Sequence, residues 1–205
     1  MVKTKEVNTE EKILEAAKKV FLHKGMYGSR MQEIADTAGI NKAMLHYYYR
    51  SKQLLFEAVF RQLFGMMAPK FGAILNAELP LEEKIKNFTF KYISFVNKHP
   101  YLPSFLIQEL NNNPKFVDEL ADNPKFPSLE NLKKQIDKLV AANQIRPITV
   151  EHLFINILSL SAFPVVGASL IKSVGQLDDK SYQKLLEERK TNVADFIIHA
   201  IKIEQ

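Results

Sequence analysis

Ser29-Arg30-Met31-Gln32-Glu33-Ile34-Ala35-Asp36-Thr37-Ala38-Gly39-Ile40-Asn41-Lys42-Ala43-Met44-Leu45-His46-Tyr47-Tyr48-Tyr49-Arg50-Ser51-Lys52 reads as two short helices joined by a tight turn. Ser29 suits the N-cap of the first, and Gln32 three residues on completes a capping box. Met31, Ile34, Ala35 and Ala38 recur at helical spacing. Gly39 then ends the helix where a left-handed residue costs least. Asn41 is placed to cap a second helix whose inward residue is Leu45. This is the layout of a helix-turn-helix, whose second helix enters the DNA major groove.

The outward side of that second helix carries Lys42, His46, Tyr47, Tyr48 and Arg50. Lysine, histidine and tyrosine donate hydrogen bonds to phosphate oxygens. Gln32, Lys42, Ala43 and Met44 are the candidates for base edges. Glutamine reads adenine, lysine reads guanine, and the small or apolar pair meets a thymine methyl. Arg30, Asn41, His46, Tyr47, Tyr48 and Lys52 are the candidates for the phosphate backbone. Ser51 caps the next helix and puts Lys52 in its first turn.

A helix with Ile13, Leu14, Ala17, Val20 and Phe21 inward precedes this pair and completes a three-helix head. Thr9 or Asn8 is its expected cap, residues 1–8 read as loose, and Gly25 lies past its end. Ile13…Ala16-Ala17…Phe21…Gly25, Ile34-Ala35…Ala38-Gly39-Ile40 and Leu45-His46-Tyr47-Tyr48-Tyr49-Arg50-Ser51-Lys52…Leu55 together resemble the N-terminal domain of the tetracycline-repressor (TetR) family. The resemblance covers roughly residues 9–58. His46 stands where the family usually has tyrosine, and Tyr49 where it usually has a core phenylalanine. The resemblance implies an all-α chain: a DNA-binding domain over residues 1–55, and a helical effector-binding and dimerisation domain over 56–205.

Charge placement agrees. Residues 1–55 hold ten Lys/Arg and six Asp/Glu, a net +4, which leaves only +1 of the chain's +5 for the remaining 150 residues. A basic head on a nearly neutral body fits electrostatic contact with nucleic acid at one end. The chain has no cysteine, which excludes disulfides and thiolate metal sites. Its first residues lack the apolar core of a signal peptide, so cytoplasm is the expected location. The uncharged run 153–171 has the length of a membrane span, but Asn156, Ser159, Ser161, Pro164, Gly167 and Ser169 interrupt it, and a buried helix is the better reading.

Beyond the head, a long helix opens at Ser51, with Pro69 expected to bend or end it. Pro80 and Pro100 punctuate the next helices, Leu81–Lys98 and Leu102–Leu110. Asn-Pro-Lys-Phe occurs twice, at 113–116 and 123–126, and reads as two similar helix starts. Leu129–Ala142 forms another helix. Thr149 caps an apolar helix that Pro164 should kink, and the last helix follows Asp178 and Asp179.

Phe64, Met67, Phe71, Phe88, Tyr92, Phe105, Gln108, Glu109 and Phe163 are candidates for lining an effector cavity. Plain core packing and, for Gln108 and Glu109, plain surface are the competing roles. The last two long helices carry more apolar surface than one core needs. Leu153, Ile157, Leu160, Val193, Phe196, Ile197 and Ala200 are therefore expected at a homodimer interface, as the family resemblance also implies. A two-fold dimer would present two heads to a palindromic operator.

No constellation for catalysis or cofactor binding is present. The five histidines are scattered, and no zinc, calcium or phosphate-loop pattern occurs. Ser159 and Ser161 on an apolar helix read as small core residues. Asp118, Glu119 and Asp122 read as a solvated face. The expectation is a non-enzymatic repressor without cofactor or membrane contact, released from DNA by a small apolar or amphipathic effector. The alternative is a dimeric architectural or recruitment protein with no effector.

Overall fold

A computed structural model describes residues 2–112 and 128–203, and ten α-helices run through them. They are α1 (Val2–Gly28), α2 (Met31–Ala38), α3 (Lys42–Tyr48), α4 (Lys52–Asn76), α5 (Leu81–Lys98), α6 (Leu102–Asn112), α7 (Glu130–Ala141), α8 (Val150–Val166), α9 (Ala168–Val174) and α10 (Asp179–Ile201). The fold is all-α, as the sequence implies. The two Asn-Pro-Lys-Phe repeats and the acidic trio 118, 119 and 122 lie outside the described residues.

Several boundaries fall where local chemistry puts them. Asn41 Oδ1 accepts the Met44 amide at 2.7 Å and caps α3. Thr149 and Asp178 cap α8 and α10 by accepting the amides of His152 and Ser181. Gly39 ends α2 in the left-handed region, φ 69° and ψ 33°. Two expectations at the N-terminus fail. α1 already starts at Val2, so residues 2–8 are helical and Asn8 and Thr9 lie inside the helix. Ser29 does not cap α2. The N-cap is Arg30, without a side-chain bond, and Gln32 Nε2 donates to Asp36 Oδ1 at 2.8 Å instead of closing a capping box.

The chain packs as two units. One comprises the residues up to Met67 together with 104–112, and the other holds Ala68–Pro103 and the described residues from 128 onward. The packing boundary thus lies twelve residues beyond residue 55, within α4, and the first unit recruits most of α6. Pro69 sits inside α4, which continues to Asn76. In the first unit Ile13, Ala17, Phe21, Ile34, Ala35, Leu45, Leu55, Val59 and Phe60 are buried completely. Phe56 meets Phe21 edge-on at 4.9 Å between centroids and Phe105 at 4.7 Å.

In the second unit α5 packs against α8 and α10. α8 and α9 meet at a 74° bend, and no single helix among the described residues is long and apolar enough to cross a membrane. Pro164 has no amide for the Leu160 carbonyl. Arg189 Nη2 takes the amide's place, donating to that carbonyl at 2.7 Å. Tyr182 Oη donates to the Pro164 carbonyl at 2.6 Å. α10 thus satisfies the two carbonyls freed around the kink. Arg189→Met and Tyr182→Phe are each expected to lower stability by about 1–3 kcal/mol, the usual cost of stranding a buried acceptor. Urea unfolding midpoints measure this, and an unchanged midpoint for both would mean that water replaces the two donors.

Candidate nucleic-acid interface

α2 and α3 are held from one side only. Ile34 and Ala35 anchor α2, and Leu45 alone is buried in α3. Everything else on α3 is at least partly open. Lys42, Ala43, Met44, His46 and Tyr47 are exposed, with Tyr47 at 80% and Met44 at 43%; Tyr48 is half-buried and meets Tyr47 edge-on at 5.6 Å. Arg30, Gln32 and Asn41 are exposed as well. The residues singled out from the sequence for DNA contact therefore occupy solvent-facing positions on α2, α3 and their flanks, apart from Tyr48 and Lys52.

Lys52 is part-buried and donates through Nζ to the Ser29 carbonyl at 3.0 Å. That bond uses one of the three ammonium donors and ties the first turn of α4 to the start of α2. Tyr49 closes α3 and sends its hydroxyl to Glu10 Oε1 of α1 at 3.0 Å. Burial first, and the Glu10 hydrogen bond and charge after it, push this phenol above its ordinary range. It stays a neutral donor, so the tyrosine at this core position is satisfied. Lys24 and Glu33 pair at 2.5 Å and tie α1 to α2. Tyr27 is 74% exposed at the α1–α2 corner. The sequence places at least one of Met26 and Tyr27 beside that turn, and Met26 is the more buried of the two.

The expected effector residues divide between the two units. In the first, Phe105 stacks with Phe60 at 5.9 Å, and Phe60 with Phe64 at 5.8 Å. Met67 is buried and Gln108 is exposed; the Glu109 side chain is outside the described set. In the second, Phe71 packs on Phe88 at 5.1 Å and on Tyr92 at 5.3 Å. Burial pushes the Tyr92 hydroxyl up to about 12. Phe163 stands apart from that cluster with 54% of its surface exposed. A separate groove of about 690 Å³ is lined by Asp137, Val140, Ala141, Pro147, Ile148, Thr149, His152 and Asn156, none of them among the expected effector residues.

Of the expected interface residues, Leu153, Ile157, Val193 and Ile197 are buried within the protomer. They fill the packing between α5, α8 and α10. Phe196 is 63% exposed, Ala200 is exposed and Leu160 is half-exposed. Ile155 and Phe163 of α8 also face solvent at more than half of their surface.

Comparison with known proteins agrees with this architecture. Residues 13–59 match the model of "Bacterial regulatory proteins, tetR family". The HTH-type transcriptional regulator RutR of Escherichia coli K12 is 30% identical over 142 residues, covering 69% of this chain and 66% of RutR. The match thus spans slightly less than two thirds of that relative. The HTH-type transcriptional repressor NicS of Pseudomonas putida is 39% identical over 101 residues, 49% of this chain and 48% of NicS. The fold resembles that of the transcriptional regulator FadR from Bacillus subtilis, crystallised with stearoyl-CoA, at a TM-score of 0.63 and 17% identity over 93% of this chain and 98% of FadR. With a helix-turn-helix head, an all-helical body and these relatives, the chain belongs to the TetR family of bacterial regulatory proteins.

Proposed function

We propose that this chain is a dimeric, DNA-binding transcriptional repressor and not an enzyme, with α3 as the reading helix. The carrying observation is α3 itself: seven residues held by Leu45 alone, with Lys42, Ala43, Met44, His46 and Tyr47 turned to solvent. The names of RutR and NicS as transcriptional regulator and repressor support the class. Gln32, Lys42, Ala43 and Met44 address base edges. Arg30, His46, Tyr47 and Tyr48 address phosphates, and Asn41 contributes chiefly as the cap of α3. Two copies would meet through the exposed part of α8 and α10, namely Ile155, Leu160, Phe163, Phe196 and Ala200. A two-fold pair of heads calls for a palindromic site. The effector is a small apolar or amphipathic molecule, a class that suits the aromatic cluster Phe71–Phe88–Tyr92 and the stearoyl-CoA held by a fold neighbour. Effector and DNA weaken each other's binding by the same factor.

Selection of duplexes from a random pool at fixed salt tests this reading, because phosphate contacts are salt-sensitive. An enriched palindrome is expected. Enrichment of nothing, with binding that merely tracks salt, would favour an architectural protein without effector. Lys42→Ala is expected to relax base preference at one position, at a cost of about 1–3 kcal/mol on the preferred site. Arg30→Ala should instead weaken all sequences alike and flatten the salt slope by about one unit. Identical behaviour of the two variants would overturn the division between base and phosphate contacts.

A further inference from the structure

Three residues that read from sequence as a cap, a phosphate contact and an effector contact meet at one corner of the head. Gly25 breaks α1 there, with φ 64° and ψ 178°. That backbone region is essentially reserved for glycine. A Cβ on Gly25 would lie 3.3 Å from Oε1 of Gln108, so the α6 side chain covers the place that a side chain would take. The Gly25 carbonyl accepts the hydroxyl of buried Ser29. The Ser29 carbonyl in turn accepts Lys52 Nζ of α4. Lys24, beside Gly25, pairs with Glu33 of α2. Contacts thus run from the corner to α2 and α4, and the Gln108 side chain of α6 lies beside it.

The start of α2 needs such a support. Its N-cap, Arg30, makes no side-chain cap bond, so the first turn of α2 lacks a local cap and its direction depends on Ile34, Ala35 and the corner. α3, with one buried residue, has little packing of its own. A glycine in an open backbone region is free to leave it unless its neighbours hold it.

We infer that Gln108 is a positioning residue for DNA recognition: it braces the Gly25 corner and so fixes the direction in which α2 and α3 meet the duplex. The inference rests on the DNA-binding reading above and adds a residue that touches no DNA. Gln108 thereby acts on the head, in place of the effector contact expected from the sequence.

The test uses the full-length protein and the duplex enriched by the selection, with a scrambled duplex as control. In Gln108→Ala, amide exchange over residues 25–31 should rise about tenfold as the corner opens locally. Affinity for the enriched duplex should fall about tenfold, a coupling of ordinary size for a residue outside the contact surface. Affinity for the scrambled duplex and the melting temperature should stay as in the wild type. Gln108→Met, which keeps the length, should restore both exchange and affinity. Gln108→Asn, one methylene shorter, carries the same test should the alanine variant fail to fold. Native exchange in the shortened variant, or fast exchange with full affinity, overturns the inference alone. A wild type that selects no duplex overturns the DNA-binding reading, and this inference with it.

Discussion

Leu45→Ala is expected to lower the stability of the chain by about 2–5 kcal/mol, the range for a fully buried leucine, and to abolish selective DNA binding. Leu45 has no exposed surface and is the only buried residue of α3. A seven-residue helix makes few internal hydrogen bonds and does not hold together in water by itself. Its existence depends on one side chain that reaches the core of the head. Removing that side chain leaves a cavity and takes away the reason for α3 to be a helix, so stability and selectivity fall together. Thermal melts and the duplex selection measure the two effects. Tyr47→Ala is the control on the same helix. At 80% exposure its loss should move stability by no more than about 0.5 kcal/mol. Were Leu45→Ala to keep the wild-type preference, α3 would not be the reading helix.

That dependence of a whole element on local and distant chemistry also explains which parts of the fold were legible in the sequence. α5 could be read at both ends, Leu81 and Lys98, because Pro80 and Pro100 bias the residues before them away from helix. The caps Asn41 and Thr149 were legible because a cap is a bond between residues three apart. The turn at Gly39 was legible for the same reason. Ser29 was misread because its hydroxyl has two local partners in reach, the amides ahead and the Gly25 carbonyl behind, and the tertiary corner decides between them. The bond from Lys52 to the Ser29 carbonyl was not legible, because the two residues are 23 positions apart.

The interface expectation was hard for a different reason. An apolar stripe says that a face is covered, not by what. Leu153, Ile157, Val193 and Ile197 are covered by their own chain. Ile155 and Phe163 of α8 and Phe196 of α10 are left open. Arg189 was invisible to a pattern search as well. Its function is to donate to a carbonyl that Pro164 leaves free, and a charged residue on a helix reads as surface until that carbonyl is located.

Gly25→Ala is the second substitution with a large expected effect, at about 1–3 kcal/mol from the backbone region alone, with a further loss from the contact. The comparison with Gly39→Ala separates these parts. Both glycines have positive φ, 64° and 69°. Gly39 lies in the left-handed helical region, and a Cβ there would have nothing within 4 Å. Alanine at that site should cost about 1–2 kcal/mol, the ordinary left-handed penalty. Gly25 combines a region closed to side chains with an atom of Gln108 at 3.3 Å. Its alanine variant must therefore leave the corner conformation or bear its strain, and the Gln108 side chain must shift by a few tenths of an ångström. The double variant Gly25→Ala with Gln108→Ala divides the cost: the contact part is recovered, and the backbone part remains. Urea unfolding of the four proteins gives the cycle. Equal costs for Gly25→Ala and Gly39→Ala would mean that the corner tolerates a side chain. An additive double variant would mean that Gln108 and Gly25 act independently, and that α6 holds the head through Phe105 against Phe56 and Phe60 alone.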